Sequence, residues 1–226
     1  MSKFDILRTL SGWFWLMGRD AARLIPVGLL WFGLVYAFYS LDSSFGLPTG
    51  LFPILASMGV EPFLIGVCSW MALQDQNVSL QNAINHTIGR FWSVVFVYVL
   101  ALLGTGLGFL FLIIPGLALS ALWIVAMPVL LAEGKGPIDA LRQSFIIVRK
   151  TFWPVFALVM ILLVGAFILS VLLDFSTGGF DDTVPVFWLV SESLSSAAIG
   201  IMSAYLSVAI YRELTFDQKH DVSVFD

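Results

Sequence analysis

The chain has 226 residues, of which 59% are hydrophobic and only 12% charged, with a net charge of −4. A soluble domain carries about a quarter charged residues, so this composition is built for the bilayer as solvent. The acidic balance excludes the basic field of a nucleic-acid binder, and the lone cysteine, Cys68, excludes an internal disulfide or a cysteine-based metal cluster.

The first 20 residues, MSKFDILRTLSGWFWLMGRD, do not read as a signal peptide. Asp5 and Arg8 break the apolar run, and no small-residue cleavage site follows. Ile6, Leu10, Trp13 and Met17 recur at helical spacing, with Arg8 and Gly12 opposite. That pattern predicts an interfacial helix over residues 1–23, with Trp13 and Trp15 at headgroup level. A spanning helix needs about 20 mainly apolar residues. The windows that qualify are 24–41, 51–73, 91–114, 117–131, 152–173 and 186–210, followed by a tail over 211–226. Glu61-Pro62 interrupts the second. The turn between the third and fourth is placed at Pro115-Gly116, with the GTGLG stretch at 104–108 as the alternative.

Charge tests this layout. Lys and Arg in short loops favour the cytoplasmic side. With six spans, both termini and the loops after spans two and four share one side. All 11 Lys and Arg fall there: Lys3, Arg8, Arg19, Arg23, Arg90, Lys135, Arg142, Arg149, Lys150, Arg212 and Lys219. The opposite loops carry Asp42, Asp174, Asp181 and Asp182 and no base. The prediction is an all-α polytopic membrane protein, one domain over residues 1–226, with six transmembrane helices and both termini cytoplasmic.

Two cytoplasmic loops are amphipathic. In residues 79–90, Leu80, Ala83, Ile84, Thr87 and Ile88 share a face. In residues 138–150, Ile138, Leu141, Phe145 and Val148 do so, with Arg142 and Arg149 elsewhere. Each feeds an aromatic pair that opens a span, Phe91-Trp92 or Phe152-Trp153, which hints at a weak repeat. Arg142, Arg149, Lys150 and Arg90 are therefore candidates to contact lipid headgroups or a partner, with the apolar faces bedded in the acyl boundary.

Charges inside the membrane are costly and mark functional candidates. Glu61 in span two and Glu192 in span six qualify. They either share a polar site or sit solvated at the outer interface. Ser193, Ser196, Gly200, Ser203 and Ser207 make a seam of small residues along span six, and Gly104 and Gly108 form a G-x-x-x-G pair in span three; both patterns suit close helix packing. Asn77-Val78-Ser79 and Asn85-His86-Thr87 match the glycosylation pattern but fall in a cytoplasmic loop. His86 and His220 lie in polar segments with no metal-ligand spacing. No nucleophile is paired with a base, and no metal or cofactor is expected.

Residues 113–155, IIPGLALSALWIVAMPVLLAEGKGPIDALRQSFIIVRKTFWPV, resemble the YciC-type bacterial inner-membrane family and the membrane domain fused to some glycerophosphoryl diester phosphodiesterases. Pro115, Gly116, Pro128, Glu133, Gly136, Ala140, Leu141, Arg142, Ser144 and Trp153 carry the likeness, together with YRELTF at 211–216. The resemblance implies a fold rather than an activity, because phosphodiester cleavage belongs to a soluble barrel that is not in this sequence. The expected function is a non-enzymatic inner-membrane helper that contacts lipids or another membrane protein or complex. The alternative is a small transporter or channel using Glu61 and Glu192.

Overall fold

The computed structural model describes residues 4–45, 51–74, 78–176 and 185–222. Lys3, Asn77, Asp181 and Asp182 lie outside these residues, as do the side chains of Asp42, Asp174, Lys219 and His220. Every regular element described is helical: α1 (Ile6–Phe45), α2 (Leu51–Leu73), α3 (Leu80–Gly89), α4 (Phe91–Phe111), α5 (Ile113–Leu122), α6 (Ala126–Glu133), α7 (Pro137–Val148), a 3-10 turn (Arg149–Thr151), α8 (Phe152–Ser176) and α9 (Pro185–Val222). Among the described residues, 5 stretches are long and apolar enough to cross a bilayer: Ile6–Phe38, Phe91–Phe111, Ile113–Glu133, Pro137–Leu173 and Val190–Thr215. This is the build of a multi-pass membrane protein.

The N-terminal segment is not a separate interfacial helix. Asp5 caps α1, its Oδ1 accepting from the Leu7 and Arg8 amides at 2.9 and 3.3 Å. The helix then runs unbroken for 40 residues, through Pro26. The physical reason is a single buried stripe. Thr9, Trp13, Leu16, Asp20, Val27, Trp31 and Val35 recur every three, four or seven residues and are all buried. Most of this face packs on α9 and α2. The last helix likewise passes the expected end at residue 210, because Ile210 and Leu214 continue its buried face.

The turn between the third and fourth spans is neither Pro115-Gly116 nor GTGLG. Leu112 alone is extended, at φ −162° and ψ 147°, and α5 starts on the next residue. Pro115 is the third residue of α5, where its missing N–H costs no helical bond. Gly116 is instead a crossing point. A Cβ built on Gly108 would stand 2.9 Å from the Gly116 Cα, and one on Gly104 would enter the Trp123 ring. The two glycines of α4 thus let α5 close against it.

The chain breaks again between α5 and α6, at Trp123, Ile124 and Val125. Ala126 to Leu131 are all buried, so α6 is enclosed by protein. Gly134, at φ 67°, ends α6 in the left-handed region, and Pro137 opens α7. The face expected on α7 is split, with Ile138 and Phe145 exposed and Leu141 and Val148 buried. Ala140, Leu141, Ser144, Ile147 and Val148 are buried, and the helix packs on α4 and α6. Other apolar side chains are more exposed still, with Leu110, Phe111, Ile114 and Phe175 each more than three-quarters exposed.

Candidate intramembrane site

Two carboxylates within the bundle are held in opposite ways. The first, Asp20, escapes the sequence reading because it sits in a segment that scans as surface helix. Its side chain is fully buried. Arg19 donates to both of its oxygens, Nε to Oδ1 at 3.1 Å and Nη2 to Oδ2 at 2.7 Å. Arg23 donates at 3.4 Å, and the Tyr205 hydroxyl of α9 donates at 3.0 Å. Arg19 also donates to the Gln74 and Met71 carbonyls at 2.8 and 3.1 Å, and Arg212 to those of Ala72 and Leu73 at 2.9 Å. Two arginines therefore close the carbonyl end of α2. The sequence signal was an acid flanked by bases at positions −1 and +3.

The second carboxylate is Glu61. Helix α2 runs straight through Glu61-Pro62, which places the acid near the middle of Leu51–Leu73 rather than at an end. With a rise of about 1.5 Å per residue, Glu61 lies about 15 Å from Met71 and the arginine cluster. Tyr98 of α4 donates to Oε2 at 2.9 Å, and Ser196 of α9 donates to Oε1 at 3.1 Å. Among the described residues no cation pairs with it.

Glu61 and Glu192 line one cavity of about 400 Å³, walled also by Trp31, Tyr98, Ser170, Ser195, Ser196 and Gly200. The structure thus brings together the two acids that sequence reasoning singled out. The small-residue seam of α9 supplies much of the wall. Ser196 reaches across to Glu61, while Ser203 and Ser207 return their hydroxyls to their own helix, at Gly200 O and Ala204 O. Gly200 is where the Trp31 ring seats, since any Cβ there would overlap it. Ser193 is buried outside the cavity lining. A second cavity, of about 250 Å³, shares Ile65, Tyr98 and Ser203 with the first and is lined by Trp123 and Ile124 of the broken α5–α6 segment and by Ser207. The rest of its lining is mainly apolar, with Val97, Ala101, Leu102 and Met127.

The basic candidates do not form a single site. Arg142, Arg149 and Lys150 are exposed. Arg142 borders a groove of about 260 Å³ with Lys135, Asp139 and Gln143. Arg90 is turned inward and donates to the Leu130 carbonyl at 3.1 Å, capping α6. Several residues behind the family resemblance also act locally. Ser144 donates to the Leu122 carbonyl at 2.7 Å, at the helix break. Glu133 accepts from Tyr211 at 3.1 Å and pairs with Lys135 at 2.7 Å. His86 stacks on Trp70 at 3.5 Å and 7°. Burial, and then the neighbouring Arg90 charge, hold its pKa below the usual histidine value. Among the described residues no group of three or more His, Cys, Asp or Glu is placed to hold a metal ion.

Comparison with family models, curated proteins and solved structures finds no match for this chain.

Proposed function

We propose that this chain is a six-span membrane protein that binds a small polar solute within the bilayer and moves it, as a small transporter or channel. The observation that carries this reading is the placement of Glu61. An acid halfway along a spanning helix, facing a cavity with a second acid and with no cation paired to it among the described residues, costs free energy that a structural role does not return. The broken α5–α6 helix beside the adjoining cavity supports the same reading.

The sixth span in this proposal is α2, whose 23 residues match the bilayer core. Arg19 and Arg212 close the carbonyl end of α2, Arg90 caps α6, and Arg149 and Lys150 immediately precede α8. Exposed Trp15, Trp92 and Trp153 lie near them in sequence, as expected at a headgroup level. That supports a bacterial cytoplasmic membrane, with these basic residues and both termini facing the cytoplasm. The reading assigns no enzymatic activity. It keeps the YciC-type resemblance as a proposed kinship, supported by the roles of Ser144, Glu133 and Tyr211 around α6.

The test is charge displacement in proteoliposomes on a solid-supported membrane, challenged with sodium, potassium, ammonium and simple primary amines. A transient current that disappears in Glu61→Gln supports the proposal. Absence of any current, combined with no solute-induced rise in thermal stability, would overturn it.

A second reading, a helper that contacts lipids or a membrane partner, draws on the outer face of α7. Ile138 and Phe145 are exposed there beside Arg142 and Arg149. Extraction into native nanodiscs, with mass spectrometry of co-purifying lipids and proteins, separates the two readings. A stoichiometric protein partner would favour the helper.

A further inference from the structure

The cavity that holds Glu61 has a neighbour of different chemistry. Ile65, Tyr98 and Ser203 line both it and the second cavity, of about 250 Å³. Ile65 follows Glu61 by four residues, on the same face of α2 and about 6 Å further along the axis. Tyr98 reaches Glu61 through its hydroxyl, 2.9 Å from Oε2. One helical turn and one tyrosine ring therefore separate the carboxylate from the second space.

The first space suits a positive head. A carboxylate accepts at about four lone-pair positions. Tyr98 and Ser196 take one on each oxygen of Glu61. Glu61 is partly exposed and lines the cavity, so a donor that enters can use the rest.

The second space suits an apolar arm. Its four aliphatic hydroxyls are turned back on their own helices. Thr105 donates to Ala101 O, Ser120 to Leu117 O, Ser203 to Gly200 O and Ser207 to Ala204 O, at 2.8, 2.8, 2.9 and 2.7 Å. Carbon from Val97, Leu102, Ile124 and Met127 makes much of the remaining wall. A metal cation would use the acid and leave this space without a role. A wholly apolar molecule would fill it and leave the acid uncompensated. An occupant with a charged head and one apolar arm uses both.

Resting on the transporter reading above, we infer that the solute is a small primary ammonium ion carrying one apolar arm, its head held at Glu61 and its arm lodged in the second cavity. An apolar cavity of about 150 Å³ already admits a benzene ring. The second cavity, at about 250 Å³, therefore has room for a short alkyl chain or a single ring.

The test is a homologous series of methyl-, propyl- and pentylammonium, titrated by calorimetry into the purified full chain in nanodiscs, with empty nanodiscs of the same lipid in parallel. Each methylene buried from water should tighten binding by up to about fourfold, above the uptake by empty nanodiscs. Ala101→Leu and Ser120→Leu each add bulk to the second cavity away from Glu61 and should flatten the series. Methylammonium, too short for an arm, reports on the fold of each variant. Glu61→Gln should weaken every member by a similar factor. A wild-type series that is flat, or that rises no faster than uptake by empty nanodiscs, overturns the inference. So does a rise that survives both filling variants, which would put the arm in lipid. In either case the transporter reading stands if methylammonium binding still depends on Glu61. No binding of any member at millimolar concentration also overturns the inference; the transporter reading falls with it only if the wild type gives no current.

Discussion

Asp20 and Glu61 are both carboxylates inside one helical bundle, and their surroundings differ in kind. Asp20 is enclosed by Arg19, Arg23 and Tyr205, so its charge is compensated within the fold. Among the described residues, Glu61 receives only neutral hydroxyls, and it borders open volume. An acid that comes with its cations ties helices together; one that lacks them is arranged for something that arrives. The α2 helix spans both cases, one at its carbonyl end and one at its centre.

The largest expected effect breaks the first half of this comparison. Asp20→Asn strips the counter-charge from two arginines in a buried setting and should cost about 3–5 kcal/mol. It is measured as loss of thermal stability in detergent and of yield in membranes. Next comes Gly200→Ala, whose added methyl group forces the Trp31 ring out of its seat. Overpacking of this kind costs about 1–3 kcal/mol, and it should also displace the cavity wall and reduce solute binding. Glu61→Gln sharpens the contrast. Its stability should change by only about 1 kcal/mol, the range of a single net hydrogen bond, because the amide keeps one oxygen for one hydroxyl and its NH2 can donate to the oxygen of the other. Transport should nevertheless be lost. A Glu61→Gln protein as unstable as Asp20→Asn would make the two acids equivalent and remove the distinction.

The smallest effect is a dependence on pH away from both acids. The folded state holds the His86 pKa below its ordinary value of 6.5. The unfolded chain therefore takes up the proton first as pH falls. Stability present above about pH 6.5 is lost progressively as pH falls below that value toward the lowered folded pKa. His86→Phe keeps the stack on Trp70 and should flatten this part of the profile in thermal melts taken between roughly pH 7 and pH 5.

Much of the architecture was legible in the sequence because hydropathy and length alone mark spanning helices. The apolar windows beginning at 91, 117 and 152 lie on described helices, and the G-x-x-x-G pair lies where α5 crosses α4. What misled was polarity at positions that the fold buries. Asp20 reads as surface because its compensating Tyr205 lies 185 residues away. For the same reason, residues 6–23 scan as an interfacial helix while their stripe continues unbroken into the span. Glu61-Pro62 reads as a turn, yet a proline is accommodated within a spanning helix when its neighbours satisfy the freed backbone group. The hairpin pivot at Leu112 carries no turn chemistry and left no local signal. Both acids of the cavity were visible as intramembrane charges, whereas Trp31 was not, since an indole in an apolar run looks like any core aromatic.

The most direct measurement of the central claim is chemical access to the cavity. Ser196→Cys, in a Cys68→Ala background, is treated in proteoliposomes with the cationic reagent aminoethyl methanethiosulfonate. Leu158→Cys, at a packed position 1% exposed, serves as the control. Fast modification of the Ser196→Cys thiol, slowed by an added simple primary amine and absent from the control, is the expected result. A Ser196→Cys thiol as inert as the control would contradict the claim that Glu61 faces a space open to a solute.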